Sequence, residues 1–331
     1  MKYSVIVPVY NRIGEVSDLL RSLAAQTARN FEVIIVEDGS TEPCRSVAEA
    51  YAPVLDIKYF FKENEGRSIA RNYGMDHATG DYFIFFDSDC VIPADYFEKL
   101  NRMEVETPAD CFGGPDAADA SFTTTQKAIN HAMTSFLTTG GIRGGKISLE
   151  KFTPRTFNMG FSRQVYQSVG GFREMFSEDI DMSTRIRKAG FSIALYPDLP
   201  VYHKRRVDFR KFLRQVYVFG MSRITLILLY PDSLKAVHCL PTVFVVGVAA
   251  MILLAIVWSP WWLLPLVVYL LAIFISALVS TRSAVIACKA VPASIIQLGG
   301  YGCGFLKAWF VKIVCRRGRN EAEEIALRKG K

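Results

Sequence analysis

A stretch of 45 residues, Val237 to Thr281, contains no Asp, Glu, Lys or Arg. A helix that crosses a membrane needs about 20 apolar residues, so this stretch is long enough for two crossings. Ser259 and Pro260 mark a turn near its centre, and the tryptophans beside them favour a membrane–water interface. We therefore predict two transmembrane helices; a buried helical hairpin in a soluble protein is the alternative.

The positive charge of the chain lies on both sides of that apolar stretch. The net charge is +7, and residues 204–214 hold six basic residues with one acid, while residues 282–331 hold ten with three acids. Basic residues beside membrane spans are kept on the cytoplasmic side and attracted to anionic lipid. A nucleic-acid-binding protein would carry its basic residues on the folded domain. We expect membrane lipids as partners, no nucleic acid, and a multi-pass location in a membrane.

The first hundred residues alternate continuous apolar runs with segments of helical period. The runs Ser4 to Pro8, Phe31 to Val36, Ile57 to Phe61 and Asp81 to Phe86 predict buried strands, and Gly66 to His77 predicts a helix. This alternation indicates an α/β, Rossmann-like domain with a mostly parallel sheet flanked by helices. In such sheets, ligands bind beyond the carboxyl ends of the strands.

The pattern is weaker after residue 110, but a division of the chain can still be predicted. Thr123 to Thr138 and Glu178 to Ala189 predict helices, and Phe157 to Ser162, Ser192 to Tyr196 and Val201 to His203 predict extended segments. We expect an α/β domain at residues 1–205, an amphipathic helix on the membrane surface at 206–236 and two transmembrane helices at 237–281. Residues 282–331 are expected to form a re-entrant or interfacial segment with a basic cytosolic tail. A third span within Val291 to Val314 is the alternative.

Acidic residues follow two of the predicted strands. Asp87, Ser88 and Asp89 come directly after one strand, where two carboxylates can share a Mg²⁺ or Mn²⁺ ion. Such a cation can bridge the diphosphate of a nucleotide sugar; a solvated turn that caps the next helix is the alternative. Asp38 ends the second strand and can accept hydrogen bonds from a base or ribose, although a type I turn would also explain it.

Two arginines open the helix that precedes the Asp87 strand. Arg67 and Arg71 are four residues apart and therefore share one face of that helix. A helix start that carries arginines is suited to bind a diphosphate. A solvated helix with Ala70 and Gly74 packed on the sheet is the plainer interpretation, and both can hold together.

Glu178, Asp179 and His203 are further candidates for chemistry. The two acids stand at a predicted helix start, where one can be a general base and where helix capping alone would also explain them. His203 follows an extended segment. A lone histidine is more often structural, but a metal site at Asp87 and Asp89 would give it the role of a third ligand.

These segments together resemble glycosyltransferase family 2, which has the GT-A fold. The match lies within residues 3–205 and is carried in order by Val5 to Asn11, Val36 to Ser40, Ala70 to Gly74, Asp87 to Asp89, Asn158 to Arg163, Gly170 to Phe172 and Glu178 to Asp181. The resemblance implies an inverting transfer of a sugar from a nucleotide-diphosphate sugar to a hydroxyl or phosphate acceptor, in cell-surface glycan biosynthesis. It also implies a location in the inner (plasma) membrane, with the catalytic domain on the cytosolic face.

The resemblance also implies a role for each candidate residue. Asp38 would contact the nucleoside, Arg71 the diphosphate, and Asp87 the ribose or a metal-bound water. Asp89 and His203 would hold a divalent metal, and Asp179, next to Glu178, would be the catalytic base. The remaining donor-binding candidates are Pro8, Tyr10, Arg67 and Ser88.

Other features bear on the reaction and its alternatives. The family's processive synthases carry a Gln-x-x-Arg-Trp motif. The segment Gln215 to Val218 lacks the Arg-Trp pair, so transfer of a single sugar is expected. Arg223 could play a related part. Gly140 to Lys146 is expected to form a lid, and the acceptor to be lipid-linked.

A sugar-nucleotide pyrophosphorylase would need a Gly-rich loop that Pro8 to Arg12 does not provide. An inactive membrane scaffold with the same fold is the other alternative.

Overall fold

The computed structural model describes residues 1–117, 122–140, 152–203 and 208–317 of the chain. These residues form two compact units. Residues 1–117 and 152–203 belong to the first unit, and residues 122–140 and 208–317 belong to the second. The segment around residue 130 therefore groups with the C-terminal helices, which its sequence gave no reason to expect.

The first unit is built on two sheets. Its strands are β1 (Tyr3–Val9), β2 (Phe31–Asp38), β3 (Ile57–Lys62), β4 (Tyr82–Phe85), β5 (Cys90–Val91), β6 (Cys111–Gly113), β7 (Asp116–Ala117), β8 (Met159–Ser162), β9 (Ile193–Leu195) and β10 (Val201–His203). The larger sheet has seven strands in the order β3-β2-β1-β4-β8-β6-β9, and the smaller has the order β5-β10-β7. Only β8 is antiparallel to its neighbours in the larger sheet. The predicted mostly parallel α/β sheet is confirmed.

Helices cover both faces of the larger sheet. Those of the first unit are α1 (Ile13–Ala24), α2 (Arg45–Tyr51), α3 (Arg67–Asp76), α4 (Tyr96–Glu106), α7 (Arg163–Val169) and α8 (Glu178–Lys188). Tyr3, Val5 and Val7 of β1 belong to a core with α1 and α4, while Ile6 belongs to a second core with α3, α7 and α8. Because alternate residues of a strand point to opposite faces, a strand covered on both sides has to be apolar throughout.

The second unit contains α5 (Thr124–Thr134), α6 (Phe136–Thr139), α9 (Phe209–Leu229), α10 (Ala236–Val257), α11 (Leu264–Thr281) and α12 (Ala284–Trp309), which a π-helical segment continues at Phe310–Val314. The prediction of one helix from Thr123 to Thr138 is wrong. Ser135 takes an extended conformation and accepts a hydrogen bond from the backbone N–H of Leu137, so it ends α5 and caps α6.

Helices α9 and α12 lie side by side and run in the same direction. A Cβ atom built on Gly300 would lie 3.0 Å from the side chain of Leu213, and one on Gly304 would lie 2.1 Å from the carbonyl oxygen of Tyr217. From the first of these contacts to the second, α9 and α12 both advance by four residues, which is about one turn. The two helices are therefore parallel. A side chain at either position would therefore collide with α9. Because these α12 positions are glycines, the two backbones can approach closely.

Helices α10 and α11 expose most of their large apolar side chains, among them Val246, Ile256 and Val267. A 3₁₀ segment at Pro260–Leu263 joins the helices, which confirms the predicted turn. Within the described residues, four segments are long and apolar enough to cross a membrane: Phe209–Leu229, Ala236–Val257, Pro260–Thr281 and Ala284–Val314. The predicted lid, apart from Gly140, and the basic tail after residue 317 lie outside the described residues.

Candidate active site

The loop between β3 and α3 is tied to the end of β2 by Asp38. This buried carboxylate accepts hydrogen bonds from Lys62 Nζ (3.0 Å) and from the backbone N–H groups of Glu65 (3.0 Å) and Gly66 (2.9 Å). Gly66 has φ 98°, a conformation that favours glycine, and α3 starts at the next residue. Asp38 therefore fixes where α3 begins. Its predicted contact with a nucleoside stays a prediction.

The loops after β1 and β2 are held together by polar side chains. Asn11, at φ 53°, accepts hydrogen bonds from the backbone N–H (2.9 Å) and hydroxyl (3.0 Å) of Thr41. Buried Glu37 accepts hydrogen bonds from the backbone of Cys44 (2.9 Å) and the hydroxyl of Tyr59 (3.1 Å). Pro8 lies in β1 opposite Val36, and Tyr10 projects into solvent with 52% exposure. Tyr10 is therefore accessible to a ligand at this edge of the sheet.

Arg71 connects the end of β4 to the start of α8. Its guanidinium is 1% exposed, with Nη1 3.0 Å from Glu178 Oε1 and Nη2 2.8 Å from Asp87 Oδ1. Arg67, one turn earlier on α3, places Nη2 2.8 Å from Glu178 Oε2, but its side chain is 53% exposed. The two arginines therefore share Glu178, and Arg67 is the one that solvent and a ligand can reach.

Asp179 lies beside this network, in the first turn of α8. Its Oδ2 accepts a hydrogen bond from Arg155 Nη1 at 3.1 Å, and its Oδ1 accepts one from the backbone N–H of Ile180 at 2.8 Å. Burial raises the pKa of Asp179, but Arg155, the Ile180 N–H and nearby Arg67 together lower the pKa below its usual value. Asp179 is therefore ionised at neutral pH, as a proton acceptor has to be.

Further contacts fix the position of α8. Asp181, which is buried, pairs with Arg173 (3.2 Å) and Arg185 (2.9 Å), and Arg185 also donates to the carbonyl of Gly171 at 2.8 Å. Asn72 of α3 exchanges two hydrogen bonds with the backbone of Phe172, at 2.9 and 2.8 Å. The segment before α8 is thereby held against α3, so Glu178 faces Arg71.

Asp87, Ser88 and Asp89 form the turn between β4 and β5, with the Cys90 N–H bonded to the Asp87 carbonyl at 3.1 Å. Strand β10 runs antiparallel to β5 and pairs His203 with Cys90, which is next to Asp89 in sequence. The backbone register thus brings His203 to the turn that carries both carboxylates. Among the described side chains, which do not include that of His203, no group of three His, Cys, Asp or Glu residues is assembled.

This arrangement fits a divalent metal by the chemistry of its donors. The Asp87 side chain is 33% exposed, and only one of its oxygens is bound by Arg71. Carboxylate oxygens are the ligands that Mg²⁺ and Mn²⁺ prefer. The residues predicted as metal ligands therefore lie in one region of the first unit.

The structure adds Arg155, Asp116 and Lys62 to the site residues expected from the sequence. Arg155 pairs with Asp179, yet nothing in its neighbourhood in sequence indicates this. Asp116 lies on β7, beside β10, and with Asp87, Asp89 and above all burial it raises the pKa of the Cys90 thiol. Gly113, Gly114 and Pro115 directly before Asp116 are typical of a turn. They are the sequence signal that could have identified Asp116 as a site residue. Lys62 ends β3 and is identified only by its contact with Asp38.

Comparison with known proteins gives matches to glycosyltransferases. The sequence profile described as Glycosyl transferase family 2 matches residues 4–170, about half of the chain. Glycosyltransferase AglE of Haloferax volcanii is 26% identical over 262 residues, which cover 74% of this chain and 80% of that protein. An uncharacterized glycosyltransferase of Rickettsia conorii is 43% identical over 104 residues, but these cover only 31% of this chain and 17% of that protein.

Solved structures share the fold. The mannosyltransferase PcManGT of Pyrobaculum calidifontis, solved with GDP-Man and Mn²⁺, has a TM-score of 0.59 and 18% identity, covering 93% of this chain and 87% of its own. S. aureus TarS 1–349 has a TM-score of 0.50 and 18% identity, covering 93% and 91%. The GT-A fold expected from the sequence is confirmed. The chain belongs to glycosyl transferase family 2.

Proposed function

We propose that this chain is a membrane-associated, inverting glycosyltransferase that moves one sugar from a nucleotide-diphosphate sugar to a lipid-linked acceptor. The observation that carries the proposal is the network in which Arg71 joins Asp87 to Glu178, with the ionised Asp179 as the next residue. It holds the turn after β4 and the start of α8 in fixed relation. A metal site at Asp87 and a proton acceptor at Asp179 can then act on the same bound substrate.

The donor is proposed to bind through its diphosphate at the start of α3. Arg67 is the exposed member of the arginine pair, so we assign it the direct phosphate contact, and Arg71 the task of positioning Asp87 and Glu178. Asp38, Pro8, Tyr10 and Ser88 are the proposed residues around the nucleoside. Nucleotide sugars bound to structural neighbours, GDP-Man in PcManGT and UDP-GlcNAc in TarS, support a donor of this class.

A divalent metal ion would be held by Asp87, Asp89 and His203. The Mn²⁺ bound to PcManGT supports this part of the proposal. When bound, the ion would neutralise negative charge on the departing diphosphate.

The transfer step is a single displacement. The acceptor oxygen attacks the anomeric carbon from the face opposite the diphosphate, and the bond from that carbon to the diphosphate oxygen breaks with its electron pair leaving on the nucleoside diphosphate. Asp179 takes the proton of the attacking oxygen, which is a hydroxyl of the acceptor or the P–OH group of a phosphate monoanion. Arg155 keeps Asp179 ionised before this happens, and Arg67 stabilises the leaving charge. The configuration at the anomeric carbon is therefore inverted.

The membrane topology is proposed from the second unit. Successive membrane spans alternate in direction, so α9 and α12 would be antiparallel if all four candidate segments crossed. They run in the same direction instead. We propose that α10 and α11 cross the inner membrane and that α9 and α12 lie at its cytosolic surface, where α9 carries Arg210, Lys211 and Arg214.

The acceptor is proposed to be lipid-linked because the second unit exposes extensive apolar surface beside basic residues. A polyprenyl-phosphate-linked glycan, a glycolipid and a free polyprenyl phosphate all have the required amphipathic chemistry. Transfer of a single sugar follows from the missing Arg-Trp pair after Gln215.

Release of nucleotide from a panel of donors tests the proposal. Membranes that contain the protein would be incubated with UDP-, GDP- and dTDP-sugars and Mn²⁺, beside Asp89→Ala and Asp56→Ala variants. Asp56 is a matched control because its carboxylate is exposed and pairs with Lys2, outside the site. We expect release from one donor, lost with a chelator and with Asp89→Ala but kept with Asp56→Ala. No release and no donor binding would favour an inactive scaffold instead.

A further inference from the structure

An open groove runs along the second unit between α9 and α12. It has a volume of about 390 Å³, and its lining includes Leu213 and Tyr217 from α9 with Gly300 and Cys303 from α12. These side chains are apolar or nearly so. The volume is in the range of about 300–1,000 Å³ that is usual for ligand sites. The floor of the groove therefore suits a hydrocarbon chain.

Arg210 and Arg214 form one edge of this groove. They are one turn apart on α9, so their side chains lie on the same face of the helix, and both are exposed. Within the part of the chain that the structure describes, neither arginine forms an ion pair, whereas the intervening Lys211 pairs with Asp208 at 3.6 Å. Two guanidinium groups are thus available for an anion.

A third cation lies further along the same surface. Lys307, four residues after Cys303 on α12, is exposed and places Nζ 5.8 Å from the ring centre of Tyr217. The groove therefore has an apolar floor and basic residues at its border. This combination is complementary to an amphipathic molecule that has a hydrocarbon chain and an anionic head.

We propose that this groove binds the phosphate and the first part of the chain of a polyprenyl monophosphate. The guanidinium groups of Arg210 and Arg214 bind the phosphate, since arginine matches phosphate oxygens with paired hydrogen bonds. The chain lies over Leu213, Gly300 and Cys303, where contact removes apolar surface from water. A single groove accommodates one chain, which favours a polyprenyl phosphate over a two-chain phospholipid. This assignment rests on the proposed lipid-linked acceptor.

Alkylation of Cys303 provides a direct test because this thiol lies in the groove and is exposed, and Cys288 on the same helix is an exposed internal control. The full chain in phosphatidylcholine nanodiscs would be treated with a maleimide, and the rate at each cysteine followed by mass spectrometry. We expect geranylgeranyl monophosphate to slow alkylation of Cys303 several-fold and to leave Cys288 unchanged. Inorganic phosphate, and phosphatidylglycerol at the same mole fraction, should have no such effect.

Variants test the phosphate contact. Arg214→Gln should raise the concentration for half-protection of Cys303 about tenfold, as expected for losing a charge-assisted hydrogen bond, and Lys211→Gln should leave it unchanged. Equal protection by phosphatidylglycerol or inorganic phosphate would overturn the assignment, as would an unchanged half-protection in Arg210→Gln/Arg214→Gln. The readout needs no nucleotide sugar, so its failure is distinguishable from a failure of glycosyl transfer.

Discussion

The guanidinium of Arg71 lies between two carboxylates, 3.0 Å from Glu178 and 2.8 Å from Asp87. Asp87 follows the central strand β4, and Glu178 begins α8, more than 90 residues later in the chain. One buried cation thus joins two segments that the proposed reaction needs in a fixed geometry. This relationship is the structural basis of the proposed site.

Removal of Arg71 should destabilise the first unit strongly. Arg71→Ala leaves Glu178 and Asp87 without their shared partner, and breaking a buried ion pair costs about 3–5 kcal/mol. Arg67→Ala is the matched control because its side chain is half exposed, and exposed pairs contribute about 1 kcal/mol or less. Thermal unfolding of the purified variants checks this. Equal shifts of the two melting temperatures would show that Arg71 does not hold the site together.

The pairing of Arg155 with Asp179 predicts a change in pH dependence. Arg155 holds the pKa of Asp179 below its usual value, so Arg155→Gln should raise that pKa. Since only the ionised carboxylate accepts a proton, the acidic limb of kcat/KM should move to higher pH. Arg21→Gln, which breaks a remote arginine–aspartate pair on α1, should leave the limb in place. An unmoved limb in Arg155→Gln would mean that Asp179 does not control it.

Close packing of α9 and α12 predicts opposite effects for two glycines of α12. A Cβ atom at Gly304 would lie 2.1 Å from the carbonyl oxygen of Tyr217, whereas one at Gly299 would meet nothing within 4 Å. Gly304→Ala should therefore destabilise the protein by about 1–3 kcal/mol. Gly299→Ala should stabilise it by up to about 1 kcal/mol, because alanine favours a helix. Thermal stability in detergent would measure both, and a neutral Gly304→Ala would contradict the packing described.

The parallel direction of α9 and α12 predicts the membrane topology. A reporter enzyme fused after Lys331 should be active in the cytosol, and one inserted at Ser259, between α10 and α11, should be active outside it. These results follow if α10 and α11 are the two spans. A C-terminal reporter that is active only outside the cytosol would show a third span and overturn the proposed position of α12.

The sequence predicts the strands well where the sheet is covered on both faces. In β1 and β2 every residue from Tyr3 to Val7 and from Phe31 to Asp38 is buried, so the apolar run itself marks the strand. The position of Asp87 at a strand end follows from the same pattern. Prediction is weaker where contacts between distant residues determine the local structure. The sequence from Thr123 to Thr138 has a continuous helical period, yet Ser135 divides it into two helices. Residues near 130 also pack with α9 and α12, which the sequence does not indicate.

Contacts between distant residues explain what could not be predicted within the site. Arg71 was expected to face a ligand because it lies near a helix start, but the fold buries it between Asp87 and Glu178. Arg155 comes from a segment without periodicity, and its meeting with Asp179 depends on how residues 152–158 are placed beside α8. Neither arrangement has a local signal in the sequence.

The most direct test of the proposed mechanism is the transfer of a labelled sugar to lipid by Asp179→Asn. Membranes that supply the acceptor would be incubated with the donor identified in the panel, and label in the lipid extract would be measured beside donor affinity. We predict that transfer falls at least about 100-fold, the usual contribution of a general base, while the Kd for the donor changes little. Transfer at the wild-type rate would contradict the assignment of Asp179 as the base.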